Sequence, residues 1–275
     1  MTEQPPPGNV GVKIYLLPNL MTAMNLLCGF AAILTILKAS VFFETHGETN
    51  VALYHQALLL IIGACVFDML DGRVARMGGL ESPFGIQFDS LADVVSFGLA
   101  PALLMVKFVL ADFHPAGAII AGIYLTCGAL RLARFNCIAM LGDKNAGKDF
   151  MGFPIPAAAG VTASITLLLL WLDEGNKEIG RWKYALPPLM LFLSFMMFSK
   201  FKYPSFKSIG WKTHVSPSRI LLIVLFIVMV VMYYQFMLAV VFIGYLLYGF
   251  LRPLISVQWR REIEEDEAED SPPHP

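Results

Sequence analysis

The sequence predicts an all-α membrane protein that crosses the bilayer several times. Hydrophobic residues make up 57% of the 275 residues, and the mean hydropathy is +0.64, well above the usage of water-soluble domains. The apolar runs are long enough for membrane-spanning helices, which need about 20 residues each. They predict about eight transmembrane helices, at residues 14–38, 51–74, 86–110, 116–139, 155–172, 183–200, 217–233 and 235–255.

The last two predicted spans are separated only by Tyr233, Tyr234 and Gln235. The length of residues 217–255 favours a hairpin of two spans, and one long helix lying on the membrane surface is the alternative. We therefore divide the chain into four parts. These are a disordered N-terminus at 1–12, a transmembrane core at 13–205, a C-terminal transmembrane hairpin at 206–256 and an acidic disordered tail at 257–275.

Lysine and arginine are distributed unevenly between the two sides of the membrane. With eight spans both termini lie on one side, and the segments on that side contain 15 of the 20 basic residues. Because cytoplasmic segments are enriched in Lys and Arg, we expect both termini in the cytoplasm. The size of the chain and its lack of a targeting signal favour a bacterial cell membrane.

Four aspartates lie near the cytoplasmic ends of the second and third spans. Asp68 and Asp71 are three residues apart, and Asp89 and Asp93 are four apart, so each pair lies on one face of its helix. The glycines and proline of the intervening MGGLESPF segment turn the chain back and bring the two pairs to one depth. Carboxylates in a membrane are costly unless they are paired, hydrated or bound to a cation. Four oxygen donors therefore indicate a site for a hard divalent cation, Mg²⁺ or Mn²⁺.

Two alternative roles for these acids remain open. The first is ion pairing with the nearby arginines, which are Arg73, Arg76, Arg131 and Arg134. The second is the ion or proton pathway of a membrane transporter, which predicts internal symmetry between two halves of the chain. We find no repeat that relates residues 14–139 to residues 155–255. The sequence also contains no glycine-rich phosphate loop and no nucleic-acid-binding pattern, so nucleic acid is not an expected partner.

The segment from Asp68 to Asp93 resembles the motif of the CDP-alcohol phosphatidyltransferases, D-x2-D-G-x2-A-R-x8-G-x3-D-x3-D. All eight positions are matched, by Asp68, Asp71, Gly72, Ala75, Arg76, Gly85, Asp89 and Asp93. The resemblance implies that residues 13–205 form a catalytic core of six spans, in a homodimer. It also implies transfer of a phosphatidyl group from a CDP-linked lipid to an alcohol, with release of CMP.

The same resemblance implies roles for individual residues. Asp68, Asp71 and Asp89 would hold the metal, and Asp93 would be a further ligand, the catalytic base, or both. Contacts to CDP-diacylglycerol would come from Gly72, Ala75, Arg76, Ser82, Gly85, Asn19 and Thr22. A helix start after Pro18 accounts for Asn19 and Thr22 equally well. An inactive scaffold protein is the remaining non-enzymatic alternative, and the complete set of aspartates argues against it.

The alcohol is indicated by three further segments, FDSLADVVSFGLAP at 88–101, RLARFN at 131–136 and GFPIPAAAG at 152–160. They resemble the integral-membrane phosphatidylserine synthases, which implies L-serine as the acceptor. An arginine suits the serine carboxylate, and an amide oxygen can accept from its ammonium group. The serine-binding candidates are Arg131, Arg134 and Asn136. Two alternatives stay open. Glycerol 3-phosphate or inositol phosphate as the acceptor would also favour arginines, and the two arginines could instead anchor the end of the span at the membrane surface.

Overall fold

A computed structural model of the chain describes residues 15–79, 82–108, 110–113, 115–140, 149–174, 182–199, 202–204, 224–225, 228–230, 232–248 and 250. The chain divides into two compact units, Met1–Leu141 and Gly142–Pro275. The predicted termini at 1–12 and 257–275 lie outside the described residues, as does most of the predicted hairpin at 206–256. The four-part division of the chain therefore stays a prediction.

The first unit begins with two long antiparallel helices, α1 (Leu16–His46) and α2 (Val51–Gly78). Helix α1 continues beyond the predicted end at residue 38 because the next helix-ending residue is Gly47, which adopts the left-handed conformation with φ +72°. Asn50 then caps α2 by accepting a hydrogen bond from the Leu53 backbone N–H at 3.2 Å. Small and aliphatic side chains such as Ile36, Ala57 and Ile61 are fully buried, which allows α1 and α2 to pack closely.

A short turn follows α2 where the glycines and proline predicted a reversal. Gly79 ends the helix with φ +60°. Ser82 caps the next helix by accepting from the Gly85 N–H at 3.0 Å, and Pro83 occupies the first helical position. Helix α3 (Pro83–Asp93) therefore starts at the same end of the unit at which α2 stops.

The third span contains a π-helical turn that the sequence pattern did not predict. Helix α3 continues through Val94–Leu99, which is π-helical, into α4 (Ala100–Phe108). A 3₁₀ turn at Leu110–Phe113 leads to α5 (Ala116–Met140). The Tyr124 hydroxyl on α5 donates to the Phe97 carbonyl at 3.1 Å, and both residues are fully buried. The π-helical turn thus lies at the core of this unit.

The second unit contains helices α6 (Ile155–Glu174), α7 (Leu186–Phe198) and α8 (Tyr234–Tyr248), with a 3₁₀ turn at Trp182–Ala185. Two three-residue strands, β1 (Asp149–Met151) and β2 (Lys202–Pro204), pair antiparallel. Gly152 follows β1 with φ +79°, and a Cβ at this position would crowd the Met197 carbonyl. A residue with a side chain is therefore disfavoured at this bend.

The prediction of a multi-pass all-α membrane protein is confirmed. Five described helical segments are long and apolar enough to cross a membrane: Leu16–His46, Val51–Gly78, Pro83–Phe108, Ala116–Ile138 and Ile155–Leu172. They correspond to the first five predicted spans. Two shorter apolar helices, Leu186–Phe198 and Tyr234–Tyr248, fall in the predicted spans at 183–200 and 235–255. Tyr233 lies in a turn, where the last two spans were separated, and most of the span predicted at 217–233 lies outside the described residues.

Candidate active site

Three of the four aspartates converge between α2 and α3. The side chains of Asp68, Asp71 and Asp89 each place a carboxylate oxygen within 4.8 Å of the other two. Asp71 is buried, whereas Asp68 and Asp89 are half-buried. The sequence prediction that the two helices bring their acids together is thus confirmed for these three residues.

Asp93 is the last residue of α3 and, like Asp71, is 5% exposed. It is not a member of the three-carboxylate group, although its side chain lies within hydrogen-bonding range of Asp68. Its surroundings therefore differ from those of the other three acids. Whether it is a metal ligand, a base or both stays a prediction.

The acidic group fits a hard divalent cation. Asp89 Oδ1 is buried and has no hydrogen-bond partner among the described residues, so this oxygen lacks the compensation that a buried acceptor requires. Carboxylates this close together also repel one another in a medium of low dielectric constant. A bound cation would give Asp89 Oδ1 a partner and would offset the repulsion between the carboxylates. Carboxylate oxygens are also the ligands that Mg²⁺ and Mn²⁺ prefer.

Ion pairing with arginine accounts for only part of this arrangement. The positive charges of Arg76 and Arg131 act on Asp68. Asp89 is affected first by its burial and then by the negative charges of Asp68 and Asp71. Its Oδ1 atom has no hydrogen-bond partner in the described part of the chain. Arginine neutralisation therefore does not account for Asp89.

Helix α1 contributes polar side chains that hold two of the aspartates. The Thr22 hydroxyl donates to Asp71 Oδ2 at 2.8 Å, and Asn25 Nδ2 donates to Asp93 Oδ1 at 3.1 Å. Thr22 was predicted only as a contact of the CDP group, and Asn25 was missed. The spacing of Asn19, Thr22 and Asn25 at three-residue intervals in an apolar helix was the signal that could have identified Asn25.

The residues predicted to contact CDP lie on the side of the three carboxylates where α2 ends and α3 begins. A Cβ at Gly72 would lie 3.2 Å from Arg76 Nη1, so the absent side chain leaves room for the guanidinium. Ala75 is half-buried on the same turn of α2. Ser82 is buried as the cap of α3, and a Cβ at Gly85 would lie 3.7 Å from Asn19 Oδ1. The structure places these residues beside the acids, and their contacts to substrate stay predictions.

The predicted acceptor residues lie on α5, which packs against α3 and the π-helical turn. Arg131 is 8% exposed, and its positive charge interacts with the carboxylate of Asp68. Asn136 is equally buried and donates through Nδ2 to Gln87 Oε1 at 3.2 Å and to Ser90 Oγ at 2.9 Å. Arg134 is half-buried on the turn between them. Gln87 and Ser90 on α3 were missed because only the packing of α5 reveals their link to Asn136.

The arrangement has the parts needed to bind a diphosphate and activate an alcohol. Converging carboxylates can hold a divalent cation, and arginines beside them can bind phosphate or carboxylate oxygens. Asp93 is a separate carboxylate of the kind that can accept a proton from an alcohol.

Comparison with known proteins identifies the family of the chain. Residues 15–198 match the family model described as CDP-alcohol phosphatidyltransferase. A Helicobacter pylori protein named CDP-diacylglycerol–serine O-phosphatidyltransferase is 35% identical over 246 residues, covering 87% of this chain and 91% of the relative. The Mycobacterium tuberculosis protein of the same name is 36% identical over 174 residues, covering 62% of this chain and 55% of the relative.

An archaeal relative extends the comparison. The archaetidylserine synthase of Methanothermobacter thermautotrophicus is 33% identical over 199 residues, covering 72% of this chain and 73% of the relative. The match to the family model includes all four aspartates and every predicted site residue. The protein is therefore an integral-membrane member of the CDP-alcohol phosphatidyltransferase family.

Proposed function

We propose that the protein transfers the phosphatidyl group of CDP-diacylglycerol to the hydroxyl group of L-serine, forming phosphatidylserine and releasing CMP. The convergence of the Asp68, Asp71 and Asp89 carboxylates carries this proposal. The choice of serine is supported by the names of the bacterial relatives and of the archaetidylserine synthase.

In the proposed reaction the serine oxygen forms a bond to the phosphatidyl phosphorus, and the phosphoanhydride bond to CMP breaks. Asp93 accepts the proton of the serine hydroxyl, because a neutral alcohol is a poor nucleophile. Asp68, Asp71 and Asp89 would hold a divalent cation, Mg²⁺ or Mn²⁺, and Asp93 would act as the base alone or as a fourth ligand as well. When bound, the cation supplies positive charge that offsets the negative charge on the diphosphate.

The CDP-diacylglycerol contacts are proposed for the residues around the turn between α2 and α3. The planar guanidinium of Arg76 suits a phosphate group and lies over Gly72, where no side chain obstructs it. Ala75 and Gly85 keep the same region open, while Ser82, Asn19 and Thr22 supply polar atoms at its edge.

Arg131 is the proposed partner of the carboxylate of the substrate serine. It is buried, and it is close enough to Asp68 for their charges to interact. Arg134 is proposed as a second cation at the same end of α5. The Asn136 amide is oriented by its donation to Gln87 and Ser90. Its oxygen lies 3.3 Å from the Ser90 hydroxyl and has a second lone pair that can accept from the serine ammonium group.

The positive-inside distribution supports an orientation in which the site and both termini face the cytoplasm, in a bacterial cell membrane. A homodimer also remains a proposal, supported by the family resemblance.

The decisive test is CMP release from CDP-diacylglycerol by the detergent-solubilised protein, with Mg²⁺ or Mn²⁺. Parallel reactions contain L-serine, glycerol 3-phosphate, inositol phosphate or no acceptor. We expect serine-dependent CMP release with recovery of phosphatidylserine, and loss of that release in the Asp89→Asn variant. Release that depends on another alcohol would refute serine as the acceptor and keep the reaction class. A folded protein that is inactive in every reaction would refute the enzymatic proposal.

A further inference from the structure

Asn25 is a fully buried amide on α1 that contacts Asp93. Its exposed fraction is 0%, and Nδ2 donates to Asp93 Oδ1 at 3.1 Å. An ionised carboxylate can only accept hydrogen bonds, so the amide nitrogen, rather than the amide oxygen, faces Asp93 when Asp93 is ready to act as a base. The orientation of the Asn25 side chain is thereby determined.

Packing alone does not account for an asparagine at this position. Asn25 Oδ1 is buried and has no hydrogen-bond partner among the described residues, so the amide is only half satisfied. A buried acceptor without a partner is destabilising, and leucine, whose side chain has the same number of heavy atoms, would avoid this cost. The contact that distinguishes asparagine from leucine here is its donation to Asp93.

The backbone that carries Asn25 is held directly against the π-helical turn that follows Asp93. The Ser96 hydroxyl donates to the Asn25 carbonyl at 3.0 Å, and Ser96 is also fully buried. One turn further along α1, a Cβ at Gly29 would lie 2.6 Å from Ser96 Cα. These two close contacts limit the movement of α1 relative to Asp93.

We infer that Asn25 is a positioning residue for Asp93. Its amide holds Asp93 Oδ1 and so fixes the orientation of the carboxylate that receives the proton of the acceptor alcohol. This inference rests on the proposed function, in which Asp93 receives the proton of that hydroxyl. It assigns to α1 a role in orienting the base, in addition to its predicted contacts with the CDP group.

The test compares Asn25→Leu with Thr35→Val. Both substitutions replace a buried polar side chain on α1 by an apolar one of similar size, and Thr35 donates to the Ala31 carbonyl of its own helix. We expect Asn25→Leu to lower kcat by about 10- to 100-fold, as loss of a partner that orients a functional group typically does. The KM for CDP-diacylglycerol and the affinity for Mn²⁺, measured by paramagnetic resonance without substrates, should be unchanged. Thr35→Val should retain the wild-type kcat.

Infrared spectroscopy supplies a readout that does not depend on activity. The carboxylate bands of Asp93, identified by subtracting the spectrum of Asp93→Asn, should shift in Asn25→Leu and stay in place in Thr35→Val. Unshifted bands would overturn the inference, even if the protein proves inactive with every alcohol and the proposed function fails. A normal kcat, or a parallel loss of Mn²⁺ affinity, would also overturn it.

A second variant, Asn25→Ser, guards against misfolding, because its shorter side chain cannot reach Asp93 and leaves a polar atom in place. It should show the same fall in kcat with an unchanged KM. If neither Asn25 variant yields folded protein, Asn25 is a structural residue and the inference is wrong.

Discussion

At the scale of single residues, the four aspartates have two different environments. Asp68, Asp71 and Asp89 face one another, and Asp89 Oδ1 has no hydrogen-bond partner among the described residues. Asp93 lies outside this group. Like Asp71, which accepts from Thr22, it accepts a hydrogen bond from α1, in its case from Asn25. A carboxylate that lacks a partner suits a cation, whereas one with an oriented oxygen suits proton transfer.

This difference predicts separable effects of two isosteric substitutions. Asp93→Asn should lower kcat by about 10²- to 10⁴-fold, the usual contribution of a general base, while Mn²⁺ binding persists. Asp89→Asn should weaken Mn²⁺ binding together with activity, because it removes a ligand charge. Steady-state kinetics and Mn²⁺ paramagnetic resonance on the same preparations check both. Full activity in Asp93→Asn would contradict its role as a base, and equal loss of Mn²⁺ from both variants would make Asp93 a ligand.

At the scale of helices, α1 lies in close contact with the π-helical turn of the first unit. Gly29 is the closest point of this contact, because the backbone of Ser96 occupies the space that a side chain would need. π-Helical turns often occur at functional sites, and this one begins at the residue after Asp93. The helix crossing and the position of Asp93 are therefore coupled.

Gly29→Ala should destabilise the protein and reduce its activity, because the new methyl group must displace the Ser96 backbone. Overpacking of this kind costs about 1–3 kcal/mol. Gly63→Ala on α2 is the matched control, since its Cβ would meet only Cys28 Sγ, at an ordinary distance of 4.0 Å. Thermal unfolding in detergent should show a lower midpoint for Gly29→Ala and an equal or higher midpoint for Gly63→Ala. Equal midpoints would show that α1 and the turn can separate without cost.

At the scale of the whole molecule, the helices present large apolar side chains on their outer faces. On α1 these include Leu20, Leu27, Phe30 and Val41, each at least half exposed. Such a surface is stable in lipid and would be an aggregation hazard in water. The uneven distribution of Lys and Arg then predicts which end of the helices faces the cytoplasm.

The predicted topology can be checked by labelling with a membrane-impermeant maleimide. In a chain whose four cysteines are replaced by serine, Thr45→Cys and Gln235→Cys should react in intact cells. Glu267→Cys, in the acidic tail, should react only after permeabilisation. If Gln235→Cys alone behaves like Glu267→Cys, residues 217–255 form a surface helix and the hairpin is wrong. Reversal of all three results would refute the cytoplasmic orientation.

Local sequence pattern was enough to predict the first five spans, the turn after Gly79 and the convergence of three aspartates. Each depends on residues close in the chain: apolar runs, a glycine followed by Pro83, and acids three or four apart. Asn25 and Gly29 were missed because their importance comes from contacts with residues 93 and 96, far away in the sequence. Gln87 and Ser90 were missed for the same reason. The π-helical turn has no composition that sets VVSFGL apart from an ordinary helix.

The π-helical turn also has a consequence for the length of the third span. A π-helical hydrogen bond joins residues five apart instead of four, so the turn contains one residue more than a regular helix needs. Helix α4 is consequently rotated about its axis relative to α3, and each can direct a different side toward its neighbours. A deletion of one residue within Val94–Leu99 could be absorbed as a regular helix. A deletion between Asp89 and Asp93 would instead rotate one aspartate by about 100° around the helix axis relative to the rest of the site. Tolerance to changes in length should therefore differ sharply between two segments that adjoin in the chain.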